Sequence, residues 1–132
     1  VMKRINRQVL QRLPEFETQS LSNISWALAT MRFKDDVLMQ HIAGEALRKM
    51  SEFTAQHLAN ASWSFATLGR RAVALFEAME SQALVLLADE SQDFHPLDLA
   101  LCAWSFAWLE HAGPDSALLK AIARVAVRRL DR

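Results

Sequence analysis

Apolar residues recur along this chain at spacings of three, four and three, the period of one helix face. Leu21, Ile24, Leu28 and Met31 form the first such stripe. Leu58, Ala61, Phe65 and Leu68 form the second, and Leu99, Cys102, Phe106 and Leu109 the third. Beside each runs a line of small residues: Ser22, Ser25 and Ala29; Ala59, Ser62 and Ala66; Ala100, Ala103 and Ala107. The distance between packed helices is set by the side chains at their contact, so small residues predict a close neighbour on that side. A second apolar series, spaced by four, follows each of these segments. It reads Leu38, Ile42, Ala46 and Met50; Leu75, Met79, Ala83 and Leu87; Leu118, Ile122, Ala126 and Leu130.

Three copies of one unit produce this pattern. Phe16, Phe53 and Phe94 each stand ten residues before a tryptophan, at Trp26, Trp63 and Trp104, and successive units begin 37 and 41 residues apart. A period in that range with no strand-and-turn signature predicts an α-solenoid, an all-α array of stacked helix-turn-helix repeats. Helix A of each unit is expected at roughly 18–32, 55–69 and 96–111, and helix B at roughly 35–50, 72–88 and 114–130. An additional helix B at 1–13 brings Leu10 and Leu13 into line with Leu47 and Met50. The single domain 1–132 thus divides into a partial repeat (1–15) and three full ones (16–52, 53–93, 94–132), about seven helices in all. Thr18, Thr54 and the pair His95-Pro96 are start signals, Asp35 and Gly113-Pro114 mark junctions, and Gly69 suits a helix end.

A polar line on helix A carries the functional expectation. Gln19, Asn23 and Thr30 are repeated as Gln56, Asn60 and Thr67, and side-chain amides offer the donors and acceptors that read base edges in single strands. The same amides could instead satisfy backbone groups at turns between repeats. In the third unit these positions become Leu97, Leu101 and Trp108, all apolar, which suits contact with a protein or a further repeat. The three in-register tryptophans have two readings, a platform for stacking bases or an anchor buried between repeats. Their recurrence beside the small line favours the buried anchor. Trp108 replaces a threonine and reads as a contact residue.

Composition narrows the class. Apolar residues make up 52% of the chain with only three glycines and three prolines, which excludes disorder. The longest apolar runs are interrupted by Glu80, Asp98 or Ser105, so no membrane insertion is expected. One cysteine, Cys102, cannot build a disulfide framework and fits a reducing compartment. Net charge is zero but unevenly spread. Lys3, Arg4, Arg7 and Arg12 face no acid at the start, and Lys120, Arg124, Arg128, Arg129 and Arg132 outnumber Asp115 and Asp131 at the finish. Residues 14–113 hold six basic against thirteen acidic residues, so only the ends carry the electrostatic footprint of nucleic-acid binding. His41, His57, His95 and His111 lack metal-ligand spacing, and no nucleophile elbow or phosphate-binding glycine loop is present. A non-enzyme is expected, with no metal, cofactor or small-molecule substrate. The chain opens on Val1, which fits a processed or truncated N-terminus and a targeting peptide outside this sequence.

The segments LSNISWALAT (21–30) and LANASWSFATLG (58–69), each preceded by Phe-x-x-Gln, resemble helix A of octotricopeptide and heptatricopeptide repeats. These organellar repeats are related to those of FAST-kinase-like and RAP-domain proteins. Tetratricopeptide units, by contrast, require a tyrosine that this chain lacks. The resemblance implies an α-solenoid that binds organellar RNA, in the mitochondrion before the plastid, and acts in transcript processing, translation or ribosome assembly. Carried over by position, Gln19, Asn23, Gln56 and Asn60 are the candidate base readers, while Leu97 and Leu101 depart from the pattern. The first expectation is therefore RNA held along the helix A face, with Arg4, Arg7, Arg124 and Arg128 on phosphates. The alternative is a protein-interaction scaffold, a structural subunit of a large organellar assembly such as a mitochondrial ribosome, contacting neighbours through Leu97, Leu101 and Trp108.

Overall fold

Helix starts and stops follow from how each chain segment satisfies its end amides and carbonyls. The computed structural model of the chain describes residues 2–92, 94–109 and 115–130. Seven α-helices run through these: α1 (Met2–Arg12), α2 (Thr18–Thr30), α3 (Asp36–Arg48), α4 (Ala55–Thr67), α5 (Val73–Ala88), α6 (Pro96–Trp108) and α7 (Ala117–Leu130). Single 3₁₀ turns at Leu13–Glu15 and Met50–Glu52 lead into the Phe residues that open units one and two, and no strand occurs among the described residues. Thr54 caps α4 through a capping box in which its hydroxyl accepts from His57 N–H and the His57 ring accepts from Thr54 N–H. Asp35 caps α3 by accepting from Leu38 N–H, and His95 caps α6 by accepting from Leu97 N–H. Thr18 departs from expectation: it is the first helical residue, and Glu17 at the cap makes no side-chain bond. Gly113, Pro114, His111, Asp93 and Arg132 lie outside the described residues.

The A helices stop two or three residues earlier than periodicity suggests because each of the first two closes in a Schellman turn. Beyond α4, Gly69 N–H bonds Ala66 O and Arg70 N–H bonds Phe65 O; beyond α2, Arg32 N–H bonds Ala29 O and Phe33 N–H bonds Leu28 O. That turn needs a left-handed residue, supplied by Gly69 in one case and Arg32 in the other.

Helices α2, α4 and α6 pack side by side as one layer, and α1, α3, α5 and α7 form a second, with α2 on α3, α4 on α5 and α6 on α7. Leu21, Leu28, Leu58, Phe65, Leu99 and Phe106 are buried in the core with Leu38, Ile42, Leu75, Met79 and Leu118 of the B helices. Phe76 meets Phe106 edge to face at 4.9 Å. Close approach within the A layer comes from the small line: Ser22, Ser25, Ala29, Ala59, Ser62 and Ala66 are all buried. The serine hydroxyls among them donate back to carbonyls of their own helix (Ser25 to Leu21 O at 2.8 Å), so no polar group is stranded in the seam. The turns ahead of α2 and α4 are each tied to the B helix of the same unit. Lys49 donates to the Pro14 and Phe16 carbonyls, and Gln82 to those of Ser51 and Phe53.

Both edges of the A layer break the repeat's symmetry. Met31 is 54% exposed, whereas its counterparts Leu68 and Leu109, each covered by the preceding A helix, are 5% and 7% exposed. On the other edge Ala100 and Ala107 are exposed and Ala103 half-buried. None of the described residues is long and apolar enough as a helix to cross a membrane.

Candidate binding face of the A helices

Helical geometry places residues four, three and four apart on one line. Gln19, Asn23, Trp26 and Thr30 share such a line on α2, as do Gln56, Asn60, Trp63 and Thr67 on α4, and Leu97, Leu101, Trp104 and Trp108 on α6. The tryptophans therefore stand within the outer line. This corrects the expectation of buried inter-repeat anchors: Trp26 and Trp104 are 48% and 43% exposed, and Trp63 is half-buried. The buried aromatic positions are taken by Phe53, Phe65, Phe94 and Phe106. Trp26 and Trp63 lie 6.4 Å apart across the α2–α4 seam, tilted by 32°, and Trp104 stacks on Trp108 at 5.5 Å and 14°. The spacing of the tryptophans from the amides already held this signal, since Asn23 to Trp26 is three residues and Trp26 to Thr30 four.

The amides divide in role. Gln19 is exposed yet engaged on both sides: Nε2 donates to Asn23 Oδ1 at 2.9 Å, and Oε1 accepts from His57 Nε2 of the next unit at 3.0 Å. Because His57 Nδ1 accepts from the Thr54 N–H, its proton sits on Nε2, which makes this a consistent chain of bonds. Burial of the imidazole pushes its pKa below the usual histidine value. Gln19 thus braces two repeats and orients Asn23, which is exposed. Gln56 is exposed and Asn60 half-buried, its backbone carbonyl accepting from Ser64 at 2.6 Å.

Electrostatically the face is bare. Helices α2 and α4 contain no Lys, Arg, Asp or Glu, and α6 contains only Asp98, whose carboxyl is pushed above its usual value chiefly by burial, with His95 opposing. The expected phosphate contacts lie elsewhere. Arg4 and Arg7 are exposed on α1, Arg124 and Arg128 on α7, at opposite ends of the B layer, and Arg128 pairs with Glu90 at 3.5 Å. The structure does not gather them with the amides. Cations nearer the A helices stand just past their C-termini: Arg32 and Lys34, both exposed, and Arg70 paired with Asp36 at 2.8 Å. Leu97 and Trp108 are exposed and Leu101 half-buried, so the third unit turns the polar line into an apolar patch. Cys102 is buried against α4, where desolvation raises its thiol to about 12 despite the facing Ser62 hydroxyl, which leaves it unreactive.

A face of this kind, uncharged, amide-bearing and lined with half-exposed indoles, offers stacking and hydrogen bonding. No curated protein matches the chain. A protein-family model does match, and it differs from the octotricopeptide and heptatricopeptide repeats that helix A resembles, leaving of that resemblance the RNA-linked, helical-repeat character. The model is that of the RNA-editing substrate-binding complex 6 protein; it spans residues 1–128, and the chain belongs to this family.

Proposed function

We propose that the protein is a non-catalytic subunit of a mitochondrial RNA-editing substrate-binding complex and holds single-stranded RNA across the outer line of α2 and α4. The observation that carries this reading is the recurrence of half-exposed tryptophans in one register, flanked by amides, on helices without charge. Half-exposed indoles present apolar ring faces that stack on any base, at about 1–3 kcal/mol per base. Asn23, Gln56 and Asn60 supply the edge contacts, while Gln19 positions Asn23. Phosphates meet only the few cations at the helix ends, Arg32 and Lys34 foremost.

Two measurements test this together. Replacing Trp26 by Ala should weaken binding of a single-stranded oligoribonucleotide about tenfold. The slope of log affinity against log salt should stay shallow, on the order of −1 to −2, because each phosphate neutralised contributes about −0.7. Undetectable RNA binding at low salt, or binding indifferent to Trp26, would overturn the reading. A second reading, a protein-interaction scaffold, is favoured by the apolar third unit, where Leu97, Leu101, Trp104 and Trp108 form a surface suited to a polypeptide. Crosslinking within the native particle separates the two, by showing whether nucleotides or peptides couple to α2 and α4.

A further inference from the structure

Two tryptophan pairs lie on the outer line, and their geometries differ in what each can hold. Trp104 and Trp108, one turn apart on α6, are closed on each other, with 5.5 Å between centroids and 14° between planes. Trp26 and Trp63 come from neighbouring helices and stand 6.4 Å apart at a tilt of 32°. Stacked bases rise about 3.4 Å per step, so one base between two rings needs about 6.8 Å. The Trp26–Trp63 pair is a wedge whose centroids fall short of that spacing by about 0.4 Å. Its two leaves are unequally held. Trp63 is half-buried on the middle helix of the layer, while Trp26 is 48% exposed and has room to turn.

The amides beside this wedge have a fixed polarity, imposed by a relay of hydrogen bonds across the seam. Thr54 N–H donates to His57 Nδ1, so His57 carries its proton on Nε2 and donates to Gln19 Oε1 at 3.0 Å. Gln19 is thereby turned to donate from Nε2 to Asn23 Oδ1 at 2.9 Å. Asn23 is exposed, and with Oδ1 engaged it has its Nδ2 hydrogens to offer. It precedes Trp26 by three residues, which sets it one turn along the same face, beside the wedge. A capping bond on α4 thus decides that the reader on α2 is a donor.

We infer that the Trp26–Trp63 wedge clamps one unpaired purine of single-stranded RNA, guanine before adenine, with Asn23 donating to its edge. Such a clamp rests on the RNA-holding role proposed for the outer line and adds the base that the line selects. Stacking between two indoles favours the larger bicyclic bases over pyrimidines, since preference at such sites follows stacking strength. The edge contact then separates the purines. Guanine presents two acceptors side by side, N7 and O6, whereas adenine sets its N6 amino group beside N7. A donor meets an acceptor at either place on guanine and meets another donor at one place on adenine. Gln19 is a positioning residue, acting through the direction in which it holds Asn23. The α6 pair, already closed on itself, has no such gap.

The test compares the affinity of the full chain for a fluorescent decauridylate and for the same strand with one central uridine replaced by guanosine or adenosine. The guanosine strand should bind about tenfold more tightly than the decauridylate, with the adenosine strand between them. Trp26→Ala, at an exposed position, should bring the three strands to within about twofold of one another. Gln19→Glu supplies a readout that a merely structural role would not move. A carboxylate has no proton to donate, so Asn23 would turn to give it Nδ2 and expose Oδ1, and adenosine should then bind better than guanosine. The added charge lowers affinity for every strand alike and leaves that ratio intact. Equal affinity for the three strands, or adenosine tightest on the unsubstituted chain, overturns the clamp and leaves RNA binding by the outer line standing. A guanosine preference that survives either substitution overturns it as well. Absence of binding by any strand at low salt overturns the RNA-holding role itself and the clamp with it.

Discussion

Arg32 and Gly69 hold the same place after α2 and α4, at φ +54° and +67°, the one conformation that lets a Schellman turn close. A side chain there costs about 1–2 kcal/mol, of which glycine's freedom in the unfolded chain takes back about 0.4–1 kcal/mol. Arg32→Gly should therefore raise the stability by about 0.5–1 kcal/mol in urea titration. Gly69→Ala should lower it by about 1 kcal/mol, through the backbone alone, since an added Cβ would meet no atom within 4 Å. His57 makes a pH prediction. Its folded pKa lies below the ordinary 6.5, so the unfolded chain takes up the proton first. The contribution is complete above 6.5 and is lost as pH falls through the depressed folded value. Between about pH 7.5 and about pH 5 the native chain should lose stability relative to His57→Gln, and parallel profiles would contradict this.

At the level of helices, the A seam depends on the absence of side-chain volume. Ala66 is completely buried against α6. Ala66→Leu should overpack that seam and cost about 1–3 kcal/mol, whereas Ala107→Leu at the matching open position should stay within about 0.5 kcal/mol of the native chain. Equal losses at the two sites would show that α6 is covered after all. The exposed Arg70–Asp36 pair contributes little by comparison, since solvent screens such pairs to about 0–1 kcal/mol. What orders the units is the buried stripe, with Lys49 and Gln82 fixing the turns.

Across the whole molecule, stability is a sum over units and the seams between them. Helix α4 has a seam on either side and its apolar stripe wholly buried, while α1 and α7 end the B layer. Native-state hydrogen exchange should be slowest in α4 and fastest in α1 and α7; the reverse order would mean that the ends carry stabilising contacts of their own. The charge follows the same geography. Basic residues cluster on the end helices, acids in the middle units, and the outer line of the A helices carries almost none, so contact along that line is governed by stacking and hydrogen bonding rather than by steering.

The chain by itself determined its helices, their pairing and their period, because helix formation and capping answer to neighbours within a few residues. Thr54, Asp35, His95 and Gly69 each act where their chemistry predicts, and every helix boundary falls within a few residues of the expected one. The side of the helix on which the tryptophans stand was also legible, in the steps of three and four to Asn23 and Thr30, although their recurrence beside small residues argued for burial. Only the tertiary structure decided which stripes are covered. Met31 and Leu68, or Ala66 and Ala107, occupy one register and differ solely in whether a neighbouring helix lies against them. Periodicity is a property of one helix, and burial is a property of two.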